Sequence, residues 1–126
     1  MKITTFNPQI ITSDAESLAK LFEELGFEKK HCKKAVGEYS ASGLVMKDPN
    51  GFKVDISQPD LSFPQDIVCI RINVDDFQEA YQFFMSQGFE NFYGDSSAVT
   101  SSSRSAVLRS PTGFSINLVE HIKDHK

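Results

Sequence analysis

The stretch LVMKDPNGFKVDI at residues 44 to 56 returns as the near copy AVLRSPTGFSINL at 106 to 118, a shift of 62 positions. The same gap-free offset carries Asp14 onto Asp76, Phe22 onto Phe84, Gly26 onto Gly88, Phe27 onto Phe89 and Glu28 onto Glu90. One register held over so much of the chain is the mark of a duplicated supersecondary unit. The fold must therefore be built from two like modules. At 126 residues and 40% hydrophobic content, the chain can bury one good core but not two large independent domains.

Residues 3 to 11, ITTFNPQII, are rich in β-branched and aromatic types and predict a strand. Ser13-Asp14-Ala15-Glu16 follows with the spacing of a helix capping box. Leu18, Leu21, Phe22 and Leu25 recur at helical spacing and stop at Gly26, which predicts a helix over 14 to 25 with a glycine cap. The text from Phe27 to Val36 is basic, with Lys29, Lys30, Lys33 and Lys34 around His31. This run reads as an anion site or as an exposed edge strand whose lysines prevent pairing with other chains. Strands are expected at 39 to 47 and 52 to 57, joined across the tight turn DPNG.

QPDLSFPQD, at 58 to 66, reads as a linker. The order then repeats: a strand at 67 to 74, then a helix at 76 to 87 with Phe77, Ala80, Tyr81 and Phe84 on one face and Gly88 as its cap. DSSAVTSSSRS, at 95 to 105, falls where the duplication requires strand, and reads as a polar exposed strand or a mobile flap. The last residues, 121 to 126, read as a polar tail. The expected architecture is α+β: one domain over 1 to 126, with a first βαβββ module at 1 to 57 and a second at 67 to 120.

Seventeen acidic against thirteen basic residues give a net charge of -4, which argues against nucleic acid or an anionic membrane as partner. No apolar run reaches the roughly 20 residues of a membrane span, and MKITTFNPQ lacks the apolar core of a signal peptide, so a cytoplasmic location is expected. Cys32 and Cys69 are too few and too far apart for a disulfide framework or a structural zinc site.

Successive strand side chains leave opposite faces, so alternation separates a helix side from a polar side. Val68, Ile70, Ile72 and Val74 are assigned to the helix side, as are Phe52, Val54, Ile56, Phe114, Ile116 and Leu118. Asn7 and Gln9 fall on the polar side if Phe6 and Ile10 pack on the helix. Cys69, Arg71, Asn73, Lys53, Asp55, Ser57, Ser115 and Asn117 join them there. Arg71 either pairs with Asp55 or meets an anionic ligand. Cys69 is an activated nucleophile beside a cation or a small buried thiol.

The paired modules, the Ser-Asp and Asp-Asp helix starts, the Gly-Phe helix ends and the D-P-x-G-like hairpins resemble the vicinal oxygen chelate superfamily, which includes glyoxalases, bleomycin-resistance proteins and extradiol dioxygenases. The resemblance implies a curved mixed sheet around a cleft, helices on the outer face, and a homodimer. It also implies that metal ligands, where the family has them, sit at Asn7, Asp55, Cys69 and Asn117. Members that bind a metal mostly carry His and Glu there, whereas this chain has two amides, one carboxylate and one thiol.

The expectation is therefore a small-molecule-binding protein without metal or other cofactor. Its ligand, polar or anionic, would be held by Asn7, Gln9, Asp55, Cys69, Arg71 and Asn117. An enzyme of lyase, isomerase or dioxygenase type with a degenerate metal site, or Asp55 as its base, is the second reading, and an inert structural or regulatory domain the third.

Overall fold

A computed structural model of the chain describes residues 1–33, 41–59, 64–92, 98–99 and 103–121. In chain order the elements are β1 (Ile3–Ile11), α1 (Ala15–Glu24), β2 (Glu28–Lys33), β3 (Ala41–Lys47), β4 (Lys53–Pro59), β5 (Ile67–Val74), α2 (Phe77–Ser86), β6 (Glu90–Asn91), β7 (Ala98–Val99), β8 (Ser103–Arg109) and β9 (Ser115–His121). They form two compact units, Asn7–Val68, and Met1–Phe6 together with Cys69–Lys126.

In the first unit the strand order is β2-β3-β4-β1, with β1 and β4 parallel and the other pairs antiparallel. In the second unit the order is β5-β9-β8-β6, with β7 also paired to β8. Only β5 and β9 are parallel. Each unit is a mixed sheet with one helix packed on it, the α+β pattern that the duplication predicts. The first core gathers Ala19, Met46, Val54 and Ile56 under Leu18, Phe22 and Phe27. The second gathers Ile72, Val74, Phe77, Ala80, Ala106, Leu108, Ile116 and Leu118.

The sequence repeat is also a repeat of hydrogen bonds. Asp14 Oδ1 accepts from the Ser17 N–H and Asp76 Oδ1 from the Glu79 N–H, both at 3.1 Å. The N-cap is thus Asp14 and not Ser13, because the residue three places on that closes the cap is Ser17, whose hydroxyl also donates to Asp14. That hydroxyl, then the backbone N–H, holds the Asp14 carboxyl below its ordinary range. With Asp14, Leu25, Asp76 and Gln87 as caps, each helix is one residue shorter at either end than the sequence reading. Phe27 N–H donates to the Phe22 carbonyl at 2.9 Å, and Phe89 N–H to that of Phe84 at 3.1 Å, the six-to-one bond of a glycine-closed helix end. The Phe22–Phe27 and Phe84–Phe89 rings meet edge to face in both copies.

The hairpin turns repeat as well. Asp48 Oδ1 accepts the N–H groups of Asn50 and Phe52, and Ser110 Oγ accepts those of Thr112, Gly113 and Phe114. A short acceptor before each proline organises the turn, carboxylate in one copy and hydroxyl in the other.

Several expectations require correction. Phe6, Val68, Phe52 and Phe114, assigned to the helix side, are not covered by the helices but are 62%, 69%, 66% and 51% exposed, and Phe114 meets the Phe89 ring edge to face. Each helix has ten residues and spans about 15 Å, while β1, with nine residues, extends to about 30 Å. A short connection turns each helix back over the strand it follows, so only the C-terminal part of that strand is covered. Burial along β5 follows this gradient, with Val68 exposed, Ile70 partly buried, and Ile72 and Val74 buried. The expected linker also begins late, because Gln58 and Pro59 pair with Ser42 and Ala41 and extend β4. Proline is tolerated at that strand end, where its missing donor breaks no interior ladder bond.

The basic segment is an edge strand over its described length. β2 lies at the border of the first sheet, Lys29 and Lys30 are exposed, and the pairing with β3 shifts register between Lys29 and His31. Lysines and an irregular register both oppose pairing with a further strand. Of the serine-rich segment, 98–99 and 103–105 are strand, with Ala98 opposite Ser105. Its remaining residues, like 34–40, 60–63 and 122–126, lie outside the described set.

Candidate functional site

The polar side of the first sheet is built by the parallel pairing of β1 with β4, which sets Gln9 opposite Asp55 and Ile11 opposite Ser57. Ile10 lies opposite Ile56 on the helix side, so alternation sends Asn7, Gln9, Asp55 and Ser57 to the other face. Asn7 Nδ2 donates to Asp55 Oδ2 at 3.2 Å, and Gln9 Nε2 donates to Ser57 Oγ at 2.7 Å. Both bonds take the same diagonal, each β1 amide reaching one pleat forward on β4. Gln9 and Asp55 are buried, at 2% and 3% exposed, and their partners Ser57 and Asn7 are partly buried. Val45 and Gly43 continue the face on β3, opposite Asp55 and Ser57.

In the second unit, β5 and β9 set Cys69 opposite Ser115, Arg71 opposite Asn117 and Asn73 opposite Val119. Arg71 Nε donates to Asn73 Oδ1 at 3.0 Å. Asn73 is 5% exposed, Cys69 and Ser115 are buried, and Arg71 and Asn117 are partly buried. Val107 on β8 faces Asn117 in the same row. Among the described residues, no buried side-chain nitrogen or oxygen lacks a hydrogen-bond partner.

Asn7, Gln9 and Asp55 are thus brought together in the first unit, and Cys69, Arg71 and Asn117 on adjacent strands of the second. Two further residues, Ser57 and Asn73, accept hydrogen bonds from Gln9 and Arg71. Alternation places them on the correct face, but nothing in the sequence marks them as partners of Gln9 and Arg71. The cysteine at 69 is buried. His121 closes β9 and is exposed.

The donor chemistry does not suit a divalent ion. A metal cage needs several charged or strongly basic donors. Among the described residues, no three His, Cys, Asp or Glu side chains come together in a way that could hold one. At the positions where the resemblance puts ligands, one amide turns its N–H onto the single carboxylate. We therefore derive no chemistry through a metal.

No protein-family model matches the chain, and no curated protein matches it by sequence. Solved structures do match. Methylmalonyl-CoA epimerase from Mycobacterium tuberculosis superposes with a TM-score of 0.63 at 16% identity, over 96% of this chain and 90% of that one. Glyoxalase I from Zea mays gives 0.67 at 16% identity, over 98% of this chain and 45% of that one. A glyoxalase/bleomycin resistance protein/dioxygenase superfamily member from Vibrio splendidus 12B01 gives 0.56 at 17% identity, over 96% and 100%. The chain has the vicinal oxygen chelate fold. At these identities the likeness concerns the fold, and function must be argued from the side chains.

Proposed function

We propose that the protein binds a polar or anionic small molecule through the polar faces of its sheets, without a metal. The observation that carries this reading is a set of bonded polar side chains opposite the helices, each pair with one buried member: Asn7 with Asp55, Gln9 with Ser57 and Arg71 with Asn73. Burying polar groups is costly even when they are paired, and an apolar face would stabilise the fold more simply. Polar groups fixed in place on a sheet face are what a small-ligand site requires, since they fix orientation and exclude wrong ligands. Asp55 and the amides supply acceptors and donors, and Arg71 supplies positive charge.

We also propose that the protein acts in the cytoplasm, on the strength of its sparse and unclustered cysteines. Two copies would associate through apolar side chains exposed at equivalent places in the repeat, Leu21 with Phe83 and Phe52 with Phe114. Sedimentation velocity tests this pairing, and a monomer at all concentrations would refute it.

The test of function is a thermal-shift screen of polar and anionic metabolites, with divalent metals as a separate arm. A true ligand at 100 times its Kd stabilises by about 2.7 kcal/mol. The stabilisation should shrink in Asn7→Ala. A set in which only metals stabilise, or in which nothing does at millimolar concentration, would overturn the proposal.

A further inference from the structure

We infer that Asn50-Gly51, in the turn between β3 and β4, is a self-modification site at which asparagine loses ammonia and becomes aspartate or isoaspartate. Asp48 is the brake on that reaction. The inference is independent of the small-molecule reading above.

The chain has five asparagines, and only Asn50 is followed by glycine. Asn7 precedes a proline, which has no N–H, and Asn73, Asn91 and Asn117 precede Val74, Phe92 and Leu118. Those four also lie within strands, whereas Asn50 and Gly51 are exposed between two of them. The reaction is an attack by the next residue's backbone nitrogen on the side-chain carbonyl carbon. Glycine leaves that nitrogen unhindered, because it has no Cβ, and it gives the chain the freedom to bend back on itself. The bond from Gly51 N to Asn50 Cγ forms and the Cγ–Nδ2 bond breaks. Ammonia leaves with the proton that the Gly51 nitrogen gave up. Water then opens the cyclic imide at either carbonyl, to aspartate or to isoaspartate, so that no oxidant or other reactant is needed.

The fold does not need an asparagine here. The second copy builds the same turn as Ser110-Pro111-Thr112-Gly113-Phe114, and Gly51 and Gly113 have φ of 93° and 109°. Gly51 N–H donates to the Asp48 carbonyl at 3.0 Å, and Gly113 N–H to that of Ser110 at 3.1 Å. The turn therefore requires its glycine, the left-handed residue of a three-residue hairpin loop, but not the residue before it. Thr112 has no amide to lose. The labile pair is a feature of one module alone.

The contacts that build the turn also hold the reaction back. The attacking nitrogen must lose its proton, and in the closed turn that N–H is engaged on the Asp48 carbonyl. Asp48 Oδ1 accepts the N–H groups of Asn50 at 3.0 Å and Phe52 at 2.8 Å, and Oδ2 makes a longer contact of 3.4 Å with Asn50 Nδ2. Asp48 thus restrains both the nucleophile and the group to be expelled. Modification proceeds from the open turn, so its rate in the folded protein is the rate of the unfolded chain scaled by the fraction of time the turn is open. The product sets a new carboxylate beside Asp48 where a donor had stood, and the like charges oppose closure. Isoaspartate also lengthens the backbone between β3 and β4, whose pairing sets Val45 opposite Asp55. The modification therefore bears on the strand that carries Asp55.

The experiment incubates the full chain in mildly alkaline buffer, folded and in urea, and follows each asparagine-containing peptide by mass spectrometry after digestion. Isoaspartate is scored separately by enzymatic methylation of its carboxylate. The wild type should convert first at Asn50, and faster in urea than when folded. Asp48→Ala should convert about tenfold or more faster than wild type without urea, the extra opening expected when a charge-assisted bond is lost. Asp48→Ser restores the hydroxyl acceptor of the second copy and should convert more slowly than Asp48→Ala. Asn50→Thr should show no conversion at that position. An Asn50 that stays intact in urea would overturn the site itself. Equal rates with and without urea would overturn the turn as the brake, a comparison that stands even if Asp48→Ala does not fold. Equal rates in wild type and folded Asp48→Ala would remove Asp48 from that role.

Discussion

Gly26 and Gly88 close the two helices with φ of 106° and 94°, a region that side chains with a Cβ rarely enter. Their surroundings differ although their roles do not. A Cβ on Gly88 would lie 3.1 Å from Pro111 Cγ, while one on Gly26 would meet nothing within 4 Å. Both alanine variants therefore carry a backbone penalty on the order of 1–2 kcal/mol, and Gly88→Ala adds a steric one. Urea unfolding should show the larger drop in midpoint for Gly88→Ala at unchanged m-value. Equal losses would show that the proline yields without cost. Both helix-closing glycines were legible in the sequence, because the apolar helical face stops at each. The asymmetry was not, since it depends on which turn packs against which helix end.

The elements are held by contacts that obey the same repeat at positions far apart in the chain. Gln58 Oε1 accepts the Ala15 N–H at 3.0 Å, and Glu120 Oε1, 62 residues later, accepts the Phe77 N–H at 2.6 Å. In each module a side chain at the end of the last strand satisfies a donor in the first turn of the helix. Such donors have no partner within the helix. Because an amide performs this task in the first module, Glu120→Gln should be nearly neutral, losing only the attraction of a carboxylate for the helix N-terminus. Glu120→Ala leaves the N–H of buried Phe77 without its acceptor and should lose roughly 1–3 kcal/mol by chemical denaturation. An alanine variant as stable as wild type would show that another group takes over. The reading of 58 as the start of a linker missed this role. A glutamine after a strand pattern looks like loop, and only the sheet register reveals that it lies beside the helix start.

At the scale of the whole molecule, the ligand positions suggested by the fold carry side chains that do not suit a metal. Protein prepared without added metal should hold no stoichiometric transition metal on Asn7, Asp55, Cys69 or Asn117, and EDTA should leave its thermal midpoint unchanged. Elemental analysis that finds one tightly held ion per chain on these side chains would reverse the assignment.

By itself the sequence determined the duplication, the order of each module as a strand, a helix and then further strands, and the split of each strand into an apolar and a polar face. These follow from spacing and alternation, which are local properties of a polypeptide. It also exposed the absence of a His and Glu set at the suggested metal positions, because residue identity is enough for that. Tertiary structure alone decided how far each helix covers its sheet, and so left Phe6, Val68, Phe52 and Phe114 exposed where alternation had buried them. It likewise decided the partners, with Asn7 on Asp55, Gln9 on Ser57 and Asn73 on Arg71 Nε. The reason is physical. Alternation tells which face a side chain leaves from, but a hydrogen bond depends on strand register and on separations of about 3 Å, which are set only when distant segments pair.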